Sequence, residues 1–149
     1  MHIGHYRALI LRKTYPQLAE LIDRSRERYS AAYPGAKYND SKHYWVFPSG
    51  ATIYFGAMQH TKDRINYQGK RYDFLAFDEL THFTWDEYSY TFSRNRPSGS
   101  GTRVYIRSTT NPGGIGHSWV KERFITAAPP LTPIATTMNV AKPDGSLIK

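Results

Sequence analysis

Two acidic residues, Asp78 and Glu79, stand directly behind the apolar run Phe74-Leu75-Ala76-Phe77. A buried strand ending in two carboxylates suits nucleoside-triphosphate hydrolysis, which needs one carboxylate for the magnesium shell and one to orient or deprotonate the attacking water. The same pattern arises when an aspartate caps a turn and the next glutamate is simply solvated, so the pair alone leaves both readings open. A second polar cluster, Ser108-Thr109-Thr110-Asn111, leaves another apolar run, Val104-Tyr105-Ile106, which predicts a third buried strand. Hydroxyl and amide side chains there could sense a γ-phosphate or hold Glu79 without adding charge. Strand threonines before an Asn-Pro turn are the plain alternative. The two clusters together are more specific than either.

Both clusters need a sheet whose strands end on a common rim, because ligands of open α/β sheets bind outside the carboxyl ends of the strands. The continuous apolar runs Ala8-Leu9-Ile10-Leu11 and Phe74 to Phe77 predict strands buried on both faces, as in a parallel sheet, with Arg12 and Lys13 marking the exit of the first. Thr14 with Gln17 predicts a helix start, Pro16 is tolerated in its first turn, and Leu18, Leu21, Ile22, Ser25 and Tyr29 fall at helical spacing until Pro34-Gly35. Glu20 and Arg24 lie on the solvated side at a favourable i,i+4 spacing.

The segments 43–47 and 51–57, around Pro48-Ser49-Gly50, predict an antiparallel hairpin at a sheet edge. A polar loop over 59–71 with a helical turn at 62–67 and a break at Gly69 comes next. Thr84 with Glu87 repeats the helix-start pattern for a helix to about Ser93, and a loop over 94–101 leads to the third strand. Pro112-Gly113-Gly114 forces a turn before a short helix over 117–125. After Ala127 the Pro- and Thr-rich sequence predicts a linker, and no internal repeat is present.

The chain has 149 residues, enough for one domain with a modest core. No cysteine is present, which excludes disulfide frameworks and thiolate metal sites. The six histidines show no ligand spacing and no serine sits in a nucleophile elbow, so neither a metal cage nor a covalent hydrolase is predicted. No apolar run approaches a membrane span, and the sequence predicts a soluble, cytoplasmic protein without a membrane partner. The net charge of +8 favours anionic partners, nucleic acid or nucleotide first, with an ordinary solvated basic surface as the alternative. Aromatic residues interleave with basic ones over 37–45 and 62–72, a pattern that could stack on or clamp a nucleic-acid strand or could serve strand packing.

The segments 8–18 (ALILRKTYPQL), 47–53 (FPSGATI), 75–81 (LAFDELT), 108–114 (STTNPGG) and 116–121 (GHSWVK) resemble, in order and spacing, the ATPase domain of tailed-phage terminase large subunits, over about residues 7–126. The resemblance implies a P-loop NTPase-like α/β fold: a parallel sheet flanked by helices, with a β-hairpin insertion and incomplete at its N-terminus. It implies a motor that uses ATP and Mg2+ to pump double-stranded DNA into a procapsid, with a portal protein, a small terminase subunit and a homo-oligomeric ring of the parent protein as partners. Asp78 then resembles the Walker B magnesium carboxylate, Glu79 the catalytic glutamate, and Ser108, Thr109, Thr110 and Asn111 the coupling motif. Arg64 and Arg71 are candidate arginine fingers. Gln68 stands before Gly69, where some members carry that arginine.

No G-x-x-x-x-G-K-[ST] occurs in the sequence, so the cradle for the β- and γ-phosphates is absent from it. Beside the resemblance, this predicts a truncated reading frame, a split gene or an expression fragment that by itself neither turns over ATP nor holds ATP and Mg2+ tightly. Residues 1–126 are then a partial ATPase domain, and 127–149 a linker toward the family's nuclease domain, so cleavage of DNA is not assigned here. The rival reading is a catalytically inactive DNA-binding or assembly module, or a prophage remnant.

Overall fold

The structure, a computed structural model, describes residues 3–135 and the paired backbone segments Val140–Ala141 and Leu147–Ile148. The chain forms two compact units, 1–117 and 118–149. The first is built on a six-stranded sheet of β1 (Arg7–Arg12), β2 (Lys37–Asn39), β3 (Tyr44–Val46), β4 (Thr52–Ala57), β5 (Phe74–Asp78) and β6 (Tyr105–Thr109), in the order β2-β3-β4-β1-β5-β6. β1 pairs in parallel with both β4 and β5, and β5 with β6, whereas β2, β3 and β4 form an antiparallel meander. Four strands therefore run the same way and end on one rim. The class predicted from the sequence, an α/β fold with helices against a sheet, is the observed one.

Helix α1 (Tyr15–Ala32) begins where Gln17 Oε1 accepts the backbone N–H of Thr14 at 3.2 Å, and ends before Gly35, whose φ of +88° no helix continues. Its inner stripe, Leu18, Ile22 and Ser25, is buried against Ala8, Trp45, Ile53 and Phe55. Ser25 is admitted to this apolar stripe because both of its capacities are used. Its hydroxyl donates to the Ile22 carbonyl at 2.6 Å and accepts the Trp45 indole N–H at 2.9 Å. On the solvated side the expected Glu20–Arg24 pair forms at 2.6 Å.

The opposite face of β1 and β5 presents Leu9, Leu11, Leu75 and Phe77, all at most 2% exposed. It is closed by a 3₁₀ segment (Thr61–Tyr67), another (Leu80–His82), and helix α2 (Trp85–Tyr90). Phe83 and Tyr88 meet Phe77 edge-on at 5.1 and 5.0 Å. The Tyr67 hydroxyl donates to the Ala57 carbonyl at 2.8 Å, and a Cβ at Gly56 would lie 2.3 Å from that hydroxyl, so Gly56 is what lets the ring close over β4.

Three features differ from the expectations. β4 is not a peripheral hairpin strand: it lies beside β1 in the sheet interior, and the edge on that side is β2, too short and polar to signal itself. β6, expected to be buried, is exposed except for partly buried Ile106, since it pairs with β5 alone among the described residues and forms the other edge. α2 stops at Tyr90 and continues as a 3₁₀ turn (Thr91–Arg94), where the Thr91 hydroxyl donates to the Tyr88 carbonyl at 2.7 Å. Of the expected linker over 127–149, residues 127–135 carry no helix or strand and two short segments further on pair with each other, while 136–139, 142–146 and 149 lie outside the described residues.

The second unit contains most of α3 (His117–Phe124), close to the predicted helix, and a two-stranded antiparallel pair, β7 (Val140–Ala141) with β8 (Leu147–Ile148). No helix among the described residues is long and apolar enough to cross a membrane.

Candidate functional site

Asp78 is the last residue of β5 and Thr109 the last of β6, and the parallel register sets them side by side. The Thr109 hydroxyl donates to Asp78 Oδ1 at 2.6 Å. The other oxygen, Oδ2, accepts Arg12 Nε at 2.5 Å from the end of β1. Three adjacent strand ends thus converge on one carboxylate. Its side chain is 23% exposed, and Arg12 neutralises its charge.

Glu79 leaves the strand in the left-handed region, with φ 60° and ψ 62°. For a residue with a Cβ this costs roughly 1 kcal/mol, and it turns the side chain toward the end of β6. There Asn111 spans the carboxylate: its backbone N–H donates to Oε2 and its side-chain amide to Oε1, both at 3.3 Å. Among the described residues neutral donors hold Glu79, whereas Asp78 has the Arg12 cation beside it.

Thr81 locks the two exits together. Its backbone N–H donates to Thr110 Oγ1 at 3.1 Å, its hydroxyl donates to the Asn111 carbonyl at 3.0 Å, and its carbonyl accepts the Gly116 N–H at 2.7 Å. Gly114 is required by this approach, since a Cβ there would lie 2.6 Å from the Thr81 carbonyl oxygen. His117 Nδ1 accepts the Gly113 N–H at 3.1 Å and completes the turn. Ser108, the remaining member of the cluster, is exposed, and its hydroxyl has no hydrogen-bond partner among the described residues.

A family model described as "Terminase large subunit, T4likevirus-type, N-terminal" matches residues 2–146. The chain belongs to that family. The large terminase of a thermophilic bacteriophage shares the fold of this terminase domain, with a TM-score of 0.66 at 17% identity over 83% of the present chain and 30% of that one. The present chain therefore spans about a third of that relative's length. No curated protein matches the sequence.

The terminase domain brings Asp78 and Thr109 into one hydrogen-bonded group and Glu79, Thr110 and Asn111, through Thr81, into a second group beside it. The two candidate arginine fingers are placed elsewhere. Arg64, in the 3₁₀ segment, faces Asp86 at 3.8 Å and the Tyr90 ring at 5.3 Å. Arg71 is exposed and precedes β5, at the opposite end of that strand from Asp78.

Sequence reasoning missed Arg12, Lys13 and Thr81 as members of this rim. Lys13 Nζ lies 2.8 Å from both oxygens of Glu87, which is only 1% exposed and also accepts the Thr84 N–H at 3.0 Å and the Thr61 hydroxyl at 3.2 Å. The capping glutamate is thus also half of a buried ion pair, joining the β1 exit to α2. The available signal was Arg12-Lys13 closing a buried parallel strand, which puts both cations on the rim where β5 ends.

Among the described residues no three His, Asp or Glu side chains group to hold a metal. A single carboxylate beside a hydroxyl nevertheless fits Mg2+, which is usually bound by one or two carboxylates together with waters and substrate phosphates. Asp78 with Thr109 is such a donor set.

Proposed function

We propose that this chain carries the water-activating and coupling part of the ATPase site of a DNA-packaging motor. The observation that supports it is the double clamp of Asn111 on Glu79, next to Thr109 on Asp78, at the meeting of two parallel strand ends. In this reading Asp78 belongs to the magnesium shell, and Mg2+ would neutralise charge on the β- and γ-phosphates. Glu79, held by the neutral donors of Asn111, orients the attacking water and accepts its proton. Residues Ser108 to Asn111 link this step to movement, because any shift of the β6 exit must pass through Asn111 and Thr110 to Glu79 and Thr81. The parent subunit would supply the phosphate-binding loop and work on double-stranded DNA in a homo-oligomeric ring, with a portal protein and a small terminase subunit.

The experiment is Glu79→Gln in the terminase subunit that contains this domain. The expected result is loss of ATP turnover by at least about a hundredfold, the scale of general-base removal, with nucleotide binding kept. Normal turnover would refute the role of Glu79.

One observation favours the rival reading, an inactive DNA-binding or assembly module: Arg12 occupies the Asp78 oxygen that a cation could use. Duplex DNA affinity that responds to salt but not to nucleotide would support that reading.

A further inference from the structure

The half of the sheet face opposite α1 that is formed by β2, β3, β4 and the start of β1 bears a pattern that the ATPase chemistry does not use. Register fixes its composition. Lys37, Val46, Thr52 and Arg7 form one row across four strands, and Asn39, Tyr44 and Tyr54 the next. Trp45, Ile53 and Ala8 point the other way, into the core under α1. The rows contain two cations and no carboxylate. The nearest acids are engaged elsewhere: Asp40 with Arg26, and Asp73 with the backbone N–H groups of Arg7 and Ser98.

The side chains are held in place. Tyr44 and Tyr54 stack at 4.9 Å, and the Arg7 guanidinium lies 5.5 Å from the Tyr54 ring with Nη2 donating to its hydroxyl at 3.3 Å. Lys37 is exposed and unpaired among the described residues, as is Lys42 in the following turn.

The geometry points to this face as a docking surface for the phosphate backbone of duplex DNA. Lys37 and Arg7 stand three strand spacings apart, about 14 Å, comparable with the roughly 12 Å width of the major groove, so they can meet phosphates on its two sides. The tyrosine hydroxyls between them add neutral donors of the kind that position a protein on phosphate without reading sequence. Arg7 and the two tyrosines are already held against one another, so they lose little side-chain freedom on binding, whereas Lys37 is ordered only by its phosphate. The inference rests on the packaging reading only in choosing DNA as the polyanion.

The test measures binding of a mixed-sequence duplex by the full chain across about 50–200 mM salt. Lys37→Gln/Arg7→Gln should weaken binding and flatten the log–log salt slope by about 1.8, or about 0.9 for each phosphate no longer neutralised. Lys37→Gln/Lys42→Gln, at exposed positions that the fold does not need, should do the same. Arg28→Gln/Arg107→Gln removes equal charge from α1 and from the sheet face that α1 shares, and should leave the slope nearly unchanged. An equal effect of all three pairs would overturn the inference, as would tighter binding of single-stranded than of duplex DNA. ATPase activity of the parent subunit reports separately: its loss in Glu79→Gln bears on the packaging reading alone, and a slope insensitive to Lys37 and Arg7 sinks only the docking surface.

Discussion

Strand β5 is bracketed by two aspartates, Asp73 before it and Asp78 at its end, and the two are built for opposite purposes. Asp73 is fully buried: Oδ2 accepts the Arg7 N–H and Oδ1 the Ser98 N–H, each at 2.8 Å. Its backbone pairs with Arg7 and Tyr105, and Asn95 caps its carbonyl, so it ties β1, β5, β6 and the 94–101 loop at the amino rim. Asp78, at the carboxyl rim, is partly open and is held by two side chains, Arg12 and Thr109. Backbone donors cannot swing away, whereas side-chain donors can be exchanged for a ligand. Equal chemistry at the two ends of one strand therefore yields a fixed clamp and an adjustable site.

The largest effect should come from Asp73→Ala, which strands two buried N–H groups that donated to a charge. A loss of about 3 kcal/mol is expected, read as a lower denaturant midpoint at constant m-value. A change within about 0.5 kcal/mol, the usual range for surface substitutions, would break the comparison.

A pH titration sharpens it. Burial raises the Asp73 pKa, but the Ser98 and Arg7 backbone N–H donors, together with the Thr102 and Ser98 side chains, outweigh it and hold its carboxyl below the usual carboxylate range. A depressed folded pKa means the stabilisation is complete above the unfolded value near 3.9, and is lost as pH falls through the lower folded value. Wild type should lose stability over that acid window, and Asp73→Asn should lose less there while starting from a lower plateau.

The smallest effect on folding is expected of Asp78→Asn. Its ion pair with Arg12 is partly exposed on both sides, and such pairs contribute at most about 1 kcal/mol. A midpoint shift well below that of Asp73→Ala would show that the carboxyl rim can be altered without cost to the fold.

Much of the fold was legible in the sequence. Continuous apolar runs identify β1 and β5 as interior parallel strands, and the Thr14–Gln17 and Thr84–Glu87 spacings locate two helix starts. These signals are local: strand burial, capping and glycine punctuation act within a few residues. The placement of β4 next to β1, the exposure of β6 and the existence of β2 were not legible, because strand order depends on which edges meet and not on any one strand's composition.

The site divides in the same way. The residue types of Asp78, Glu79 and the 108–111 cluster, and their position at strand exits, follow from the sequence itself, since an apolar run that stops at polar residues must bring them to a rim. Tertiary structure alone decided that Arg12 would neutralise Asp78 across 66 residues, that Asn111 would clamp Glu79 across 32, and that Glu87 would be buried against Lys13 across 74. The physical reason is that hydrogen bonds and ion pairs act over about 3 Å, so a partner is set by the register of parallel strands and the layer packed on them, which only the closed sheet brings within reach.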